Sequence, residues 1–114
     1  RLIIIINHEK HRLVEKVDYI TSPGFLDGGN SRIKAGLAGG GPAVVITDRA
    51  VLRPYGPNNE LHLAAFHPNH TVAQIVENTG WNLKSIPELY ETPVPTSVEI
   101  DALHQIDKEG FWRN

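Results

Sequence analysis

Residues 18–48 read DYITSPGFLDGGNSRIKAGLAGGGPAVVITD: a short apolar run, a long glycine-rich connection and a longer apolar run. Gly24, Gly28, Gly29 and the run Gly39-Gly40-Gly41, with Pro23 and Pro42, set the connection apart. A segment of this composition demands backbone angles or close approaches that a Cβ would block. A loop of this length between two strand-like runs is more often functional than idle. Tyr19 to Ser22 is expected as one strand. Ala43 to Ile46 is expected as a second, buried one, running on through Thr47 and Asp48 into Ala50-Val51-Leu52.

Upstream, Leu2-Ile3-Ile4-Ile5-Ile6 is β-branched and apolar at nearly every position. That pattern predicts a strand inside a sheet covered on both faces. Asn7 then reads as an N-cap and Glu9 as a first-turn acid, opening a short helix whose apolar stripe is Leu13, Val14 and Val17. Strand, short helix, strand is the rhythm of α/β architecture.

Downstream, Pro54 to Asn59 is a turn by composition and Leu61 to Phe66 a returning strand, which predicts an antiparallel hairpin at the edge of a mixed sheet. Thr71 and Gln74 have capping-box spacing, and Val72, Ile75 and Val76 form the buried side of the helix they open, with Gly80 as its terminator. Trp81-Asn82-Leu83 is expected to rejoin the sheet or pack on it. From Pro87 the composition shifts. Residues 1–86 are therefore expected as an α/β domain and 87–114 as an extended proline-rich tail with a short terminal helix. That helix starts at a second capping box, Thr96 with Glu99, and should turn Ile100, Leu103 and Ile106 inward. Phe111 and Trp112 should dock on this domain or on a partner. The fold class expected is α/β: an open mixed sheet with an antiparallel hairpin and short flanking helices.

At 114 residues, with a formal charge of −2 and dispersed cations, the chain offers no electrostatic reason to expect nucleic acid or an anionic membrane as a partner. Cysteine is absent, which excludes disulfides and thiolate metal sites and fits a reducing compartment such as the cytoplasm. Methionine is absent too, so the chain is expected to be a piece of a longer polypeptide.

Site chemistry is sparse. Gly39-Gly40-Gly41-Pro42 precedes a strand, whereas phosphate-binding glycine loops follow a strand and open a helix. Arg32 has two readings, a partner for a substrate carboxylate or phosphate and a surface ion pair. His8 and His11 are three apart, not the four of a zinc-binding HExxH helix, and no metal site is expected. His8 lies just past a strand end, where open α/β sheets hold ligands, although a hydrogen-bonded structural histidine fits the position as well. Neither Ser22 nor Ser31 sits in a GxSxG elbow, and no glutamate stands in a glycine-flanked apolar setting.

Several blocks in order, LIIIINHEKHRLVEKVDYITSPGFLDGG, GGGPAVVITDRAVLR, FHPNHTVAQIVENTGWNL and a closing IDKEG, resemble the C-terminal part of the β subunit of family I coenzyme A transferases, the glutaconate type most of all. The resemblance covers nearly the whole chain and is weakest from Ser85 to Ser97. It implies a hetero-oligomer of α and β subunits that moves coenzyme A between carboxylic acids by a ping-pong route. A glutamate of the β subunit attacks the acyl thioester, assisted by a GxGG motif whose backbone amides face the developing oxyanion. Both motifs precede the strand corresponding to Leu2–Ile6, so the resemblance assigns no catalytic residue within these 114 residues. It implies a coenzyme A thioester as substrate, no tightly bound cofactor, and the α subunit with the upstream β-subunit portion as partners. Residues placed to line the cleft are Asn7, His8 and Lys10, which would follow the oxyanion motif, with Ser22, Gly24 and Arg32 at a neighbouring strand end. Decarboxylases and hydrolases of acyl-coenzyme A share the superfamily and differ in residues upstream; a non-catalytic assembly module is the remaining alternative.

Overall fold

A computed structural model describes residues 1–113. Five strands form one sheet: β1 (Leu2–Ile5), β2 (Pro42–Ile46), β3 (Ala50–Tyr55), β4 (Glu60–Phe66) and β5 (Ser85–Glu91), in the spatial order β1-β2-β3-β4-β5. Three short helices accompany it, α1 (Ser31–Lys34), α2 (Val72–Glu77) and α3 (Ser97–Ile106). β1 runs parallel to β2 and β4 parallel to β5, while β3 is antiparallel to both neighbours. β1, β2, β4 and β5 therefore point the same way, and their carboxyl ends share one edge of the sheet. The α/β mixed sheet expected from the sequence is present.

The β2–β3 connection is a tight turn rather than a continuous run. Thr47 makes it: its Oγ1 accepts from the Arg49 amide at 3.1 Å and the Ala50 amide at 2.8 Å, and its own amide donates to the Ala50 carbonyl at 2.8 Å. A threonine hydroxyl that caps the amides following it competes with strand pairing and reverses the chain. The β3–β4 hairpin turns through Gly56–Asn59, with Gly56 and Asn59 at positive φ. It occupies the middle of the sheet and not its edge, because β5 pairs outside β4. Pro87 accordingly lies inside a sheet strand, and β5 crosses the boundary expected at 86/87.

The core is Val45, Ala50, Leu52, Leu63, Ile75 and Leu83, with Ile4, Ile6, Val72 and Trp81 among the side chains packed against it. α2 is positioned by its capping box: Thr71 Oγ1 accepts from the Gln74 amide at 3.3 Å and Gln74 Oε1 from the Thr71 amide at 3.0 Å. It buries Ile75 completely.

Four local expectations are corrected. β1 is an edge strand among the described residues: Ile4 packs inward, but Ile3 and Ile5 are 62% and 76% exposed, so only one face is covered. No α-helix follows Asn7. A single turn forms, with the Arg12 and Leu13 amides on the Glu9 carbonyl, and the chain then extends so that Leu13 plugs the core and Val14 bridges to Gly80. Tyr19 to Ser22 forms no strand and is exposed, paired with none of the five strands. In α3 the capping box is present, yet Ile100, Leu103 and Ile106 remain open to solvent, since the helix stands off the sheet. Phe111 and Trp112 pack edge-to-face on each other and are likewise open.

Candidate functional site

In an open α/β sheet, ligands sit beyond the carboxyl ends of parallel strands, where successive loops diverge. Here that edge gathers Asn7 and His8 after β1, Thr47-Asp48-Arg49 after β2, His67 to His70 after β4 and Thr92 after β5. Hydrogen bonds tie these segments together. The His8 amide donates to Asp48 Oδ1 at 2.6 Å. The His8 ring is fully buried, with Nδ1 3.0 Å from Thr47 Oγ1 and Nε2 2.9 Å from Thr79 Oγ1. His67 links the next pair of segments: Nε2 donates to the Thr47 carbonyl at 3.0 Å, and Nδ1 is hydrogen-bonded to the Thr92 hydroxyl at 2.8 Å. The His67 amide donates to the Arg49 carbonyl at 2.8 Å.

The electrostatics follow from burial. Removal from water holds the His8 imidazole below its ordinary value of 6.5, against the opposing effect of the Ile75 carbonyl. For Asp48, partial burial pushes the carboxyl up, but hydrogen bonds from the His8 amide and its own amide outweigh this and keep it below the usual carboxylate range. The edge thus presents a neutral imidazole beneath an ionised carboxylate. Beside it stands Arg49, whose side chain is 29% exposed and whose Nε lies 3.7 Å from Asp48 Oδ2.

The six residues expected to line a cleft separate into two groups. Asn7, His8 and Lys10 lie at the carboxyl edge; Asn7 and Lys10 are exposed, whereas His8 faces inward and supports the Thr47–Arg49 turn from below. Ser22, Gly24 and Arg32 lie at the opposite edge, where with Leu2, Gly41 and Pro42 they border a cavity of about 200 Å³. A four-residue strand rising about 3.3 Å per residue puts roughly 13 Å between the two groups. Arg32 makes no ion pair among the described residues. Its guanidinium donates to the carbonyls of Gly24 at 2.9 Å, Gly39 at 3.3 Å and Ala38, so it pins the two arms of the glycine-rich connection. Gly39 and Gly41 take positive φ there, and a Cβ on Gly41 would press on the Phe25 ring.

Among the described residues no three His, Cys, Asp or Glu side chains converge as a metal-binding set. No helix among them is long and apolar enough to cross a membrane. Thr47, Asp48, Arg49 and Thr79 carry no site motif in the sequence. Their one local signal is the Thr47-Asp48 pair before Arg49, a turn-forming doublet between two apolar runs.

A family profile described as coenzyme A transferase matches residues 1–78. The chain belongs to the coenzyme A transferase family. It is 39% identical over 106 residues to the β subunit of 3-oxoadipate CoA-transferase of Pseudomonas knackmussii, a match covering 92% of this chain and 41% of that protein. It is also 39% identical over 101 residues to the β subunit of glutaconate CoA-transferase of Acidaminococcus fermentans, covering 86% and 38%. The crystal structure of glutaconate coenzyme A-transferase from Acidaminococcus fermentans superposes with a TM-score of 0.86 at 33% identity, over 98% of this chain and 44% of that one. The decarboxylase AibA/AibB superposes with a TM-score of 0.69 at 22% identity, a likeness of fold. The chain spans about two-fifths of the length of the curated transferase subunits it matches.

Proposed function

We propose that this chain is part of the β subunit of an acyl-coenzyme A:carboxylate coenzyme A-transferase, acting in the cytoplasm with an α subunit and with an upstream β-subunit portion that carries the nucleophilic glutamate. The observation that carries this reading is the 39% identity to the β subunit of a coenzyme A-transferase across 92% of the chain. In the proposed reaction a glutamate oxygen attacks the thioester carbonyl and the C–S bond breaks, giving an anhydride and the coenzyme A thiolate. The thiolate then attacks the glutamyl carbonyl, releasing the first acid and leaving a glutamyl thioester; the incoming carboxylate reverses both steps. No oxidant and no net proton is required. The role proposed for the present residues is to form the sheet edge against which the acyl group lies, with Asn7, Lys10 and the Thr47–Arg49 turn facing it.

We take the acids exchanged to be dicarboxylic, because both curated relatives are named for one, 3-oxoadipate and glutaconate. The identities of 33% and 39% to transferases against 22% to the decarboxylase favour transfer over decarboxylation. The test is the complete β subunit purified with its companion and mixed with an acyl-coenzyme A. Intact-mass measurement should show a covalent coenzyme A adduct on the β subunit, discharged by an added carboxylic acid with formation of the new thioester. Release of carbon dioxide, or of free acid with no second thioester, would replace this reading with the decarboxylase or hydrolase alternative.

A further inference from the structure

Of the chain's six arginines Arg1 and Arg53 are exposed, and the other four can be compared by what their guanidinium groups touch. Arg32 donates to three backbone carbonyls, Arg12 pairs with Glu9 at 2.6 Å, and Arg113 donates to both the side chain and the carbonyl of Asp107. Each is satisfied by its own loop. Arg49 is different. Its Nε is buried and has no hydrogen-bond partner among the described residues. Asp48 Oδ2, at 3.7 Å, is beyond hydrogen-bond reach, and the other oxygen of that carboxylate is taken by the His8 amide. A buried donor left unpaired beside a carboxylate that holds it without satisfying it is an exception that a partner outside these residues, whether water, protein or ligand, accounts for.

Its position supplies the second argument. Arg49 sits in the turn after β2, at the edge where β1, β2, β4 and β5 all end. The backbone beneath it is fixed from both sides: its amide is bound by Thr47 Oγ1 and its carbonyl by the His67 amide. A partly exposed guanidinium on a fixed base, at the edge where open α/β sheets generally hold ligands, matches what planar recognition of a carboxylate needs. A dicarboxylic acid joined to coenzyme A through one carboxyl keeps the other as a free anion, and a cation compensates that anion once it leaves water.

We propose that Arg49 is the specificity-determining residue that receives the free carboxylate of the dicarboxylic acyl group. This rests on the transferase reading above and goes beyond it by naming the residue and the group it selects. The experiment uses the complete β subunit with its companion, as wild type, Arg49→Lys and Arg49→Met, and compares transfer of coenzyme A to glutarate and to pentanoate, which differ in one terminal carboxylate. Arg49→Met should lower kcat/KM for glutarate about 10- to 100-fold more than for pentanoate, with Arg49→Lys in between. Equal loss on both acids, or loss of subunit association with a lowered melting temperature in both variants, would mean that Arg49 pairs with a protein carboxylate, and would overturn the inference while leaving the transferase reading intact. A wild-type enzyme that transfers coenzyme A to neither acid nor to any other would instead overturn the transferase reading itself.

Discussion

Nε2 of His8 and Oγ1 of Thr79 lie 2.9 Å apart across 71 positions of sequence, joining the end of β1 to the end of α2. The Thr79 hydroxyl donates to the Ile75 carbonyl at 2.8 Å, so Nε2 must carry the ring proton in this bond. On the other side of the ring, Thr47 Oγ1 accepts from two amides, and its one proton is within reach of both Nδ1, at 3.0 Å, and the Ala50 carbonyl, at 3.1 Å. The Thr79 bond puts a proton on Nε2, and burial favours the neutral imidazole.

Acid should therefore loosen this protein before any carboxylate titrates. The folded His8 binds its proton less readily than the unfolded one, whose value is near 6.5, so the unfolded state takes up more protons as the pH falls through that value. The contribution of His8 is complete above about 6.5 and declines below it, with a slope of at most about 1.4 kcal/mol per pH unit. Asp48, also held low, loses its contribution only further down, near and below its ordinary value of 3.8. Melting temperature followed from neutral pH to about pH 5 should drop for the wild type and stay flatter for His8→Gln, which starts lower. Parallel curves would show that His8 is not the titrating group.

Thr79→Val keeps the volume but removes the acceptor for Nε2–H inside the core. The expected cost is about 1–3 kcal/mol, the usual penalty for a buried donor left alone. Urea unfolding of the variant beside Thr79→Ser, which retains the hydroxyl, would measure it; equal midpoints would contradict the network.

Gly28 has φ of +83°, and a Cβ there would run into the backbone of Asn58 in the β3–β4 turn. Gly24 also has positive φ, at +55°, but faces open space. Gly24→Ala should cost about 1 kcal/mol from backbone strain alone. Gly28→Ala should cost clearly more, about 2–4 kcal/mol, because two backbone segments must separate. Thermal unfolding of the two variants side by side decides it.

Arg32→Lys keeps the charge and loses the planar fork that reaches three carbonyls at once. Residues 22–41 should then exchange amide hydrogens faster and be cut earlier by protease, with little change in the strands β3 and β4. Unchanged exchange across the glycine-rich connection would mean that the loop holds itself.

Short-range chemistry is readable from the residues alone. Both capping boxes, Thr71 with Gln74 and Thr96 with Glu99, need only four consecutive positions, and both are formed. The β2 run and the returning strand β4 are equally plain from their apolar pattern. Sequence and structure part where a local pattern has two physical solutions. Leu13 and Val14 have helical spacing, but their places are set by the core and by Gly80, which lies 66 positions beyond Val14. Five apolar residues in a row at the start signal two-sided cover, and within this chain only Ile4 and Ile6 pack on the core.

The site is hidden for a related reason. The partners of His8 are 39 and 71 positions away, and nothing in the segment from Asn7 to His11 announces a pair of threonines. Arg49 carries no motif at all; what distinguishes it is a missing bond, which exists only in three dimensions.

The margin formed by β1 has a practical consequence. Its outer row of amides and carbonyls, flanked by the bare side chains of Ile3 and Ile5, offers a growing surface on which any extended strand can crystallise out of solution. Handled by itself at high concentration, the chain should stack into fibrous precipitate nucleated at its first six residues, and a lysine placed at Ile3 should delay that outcome.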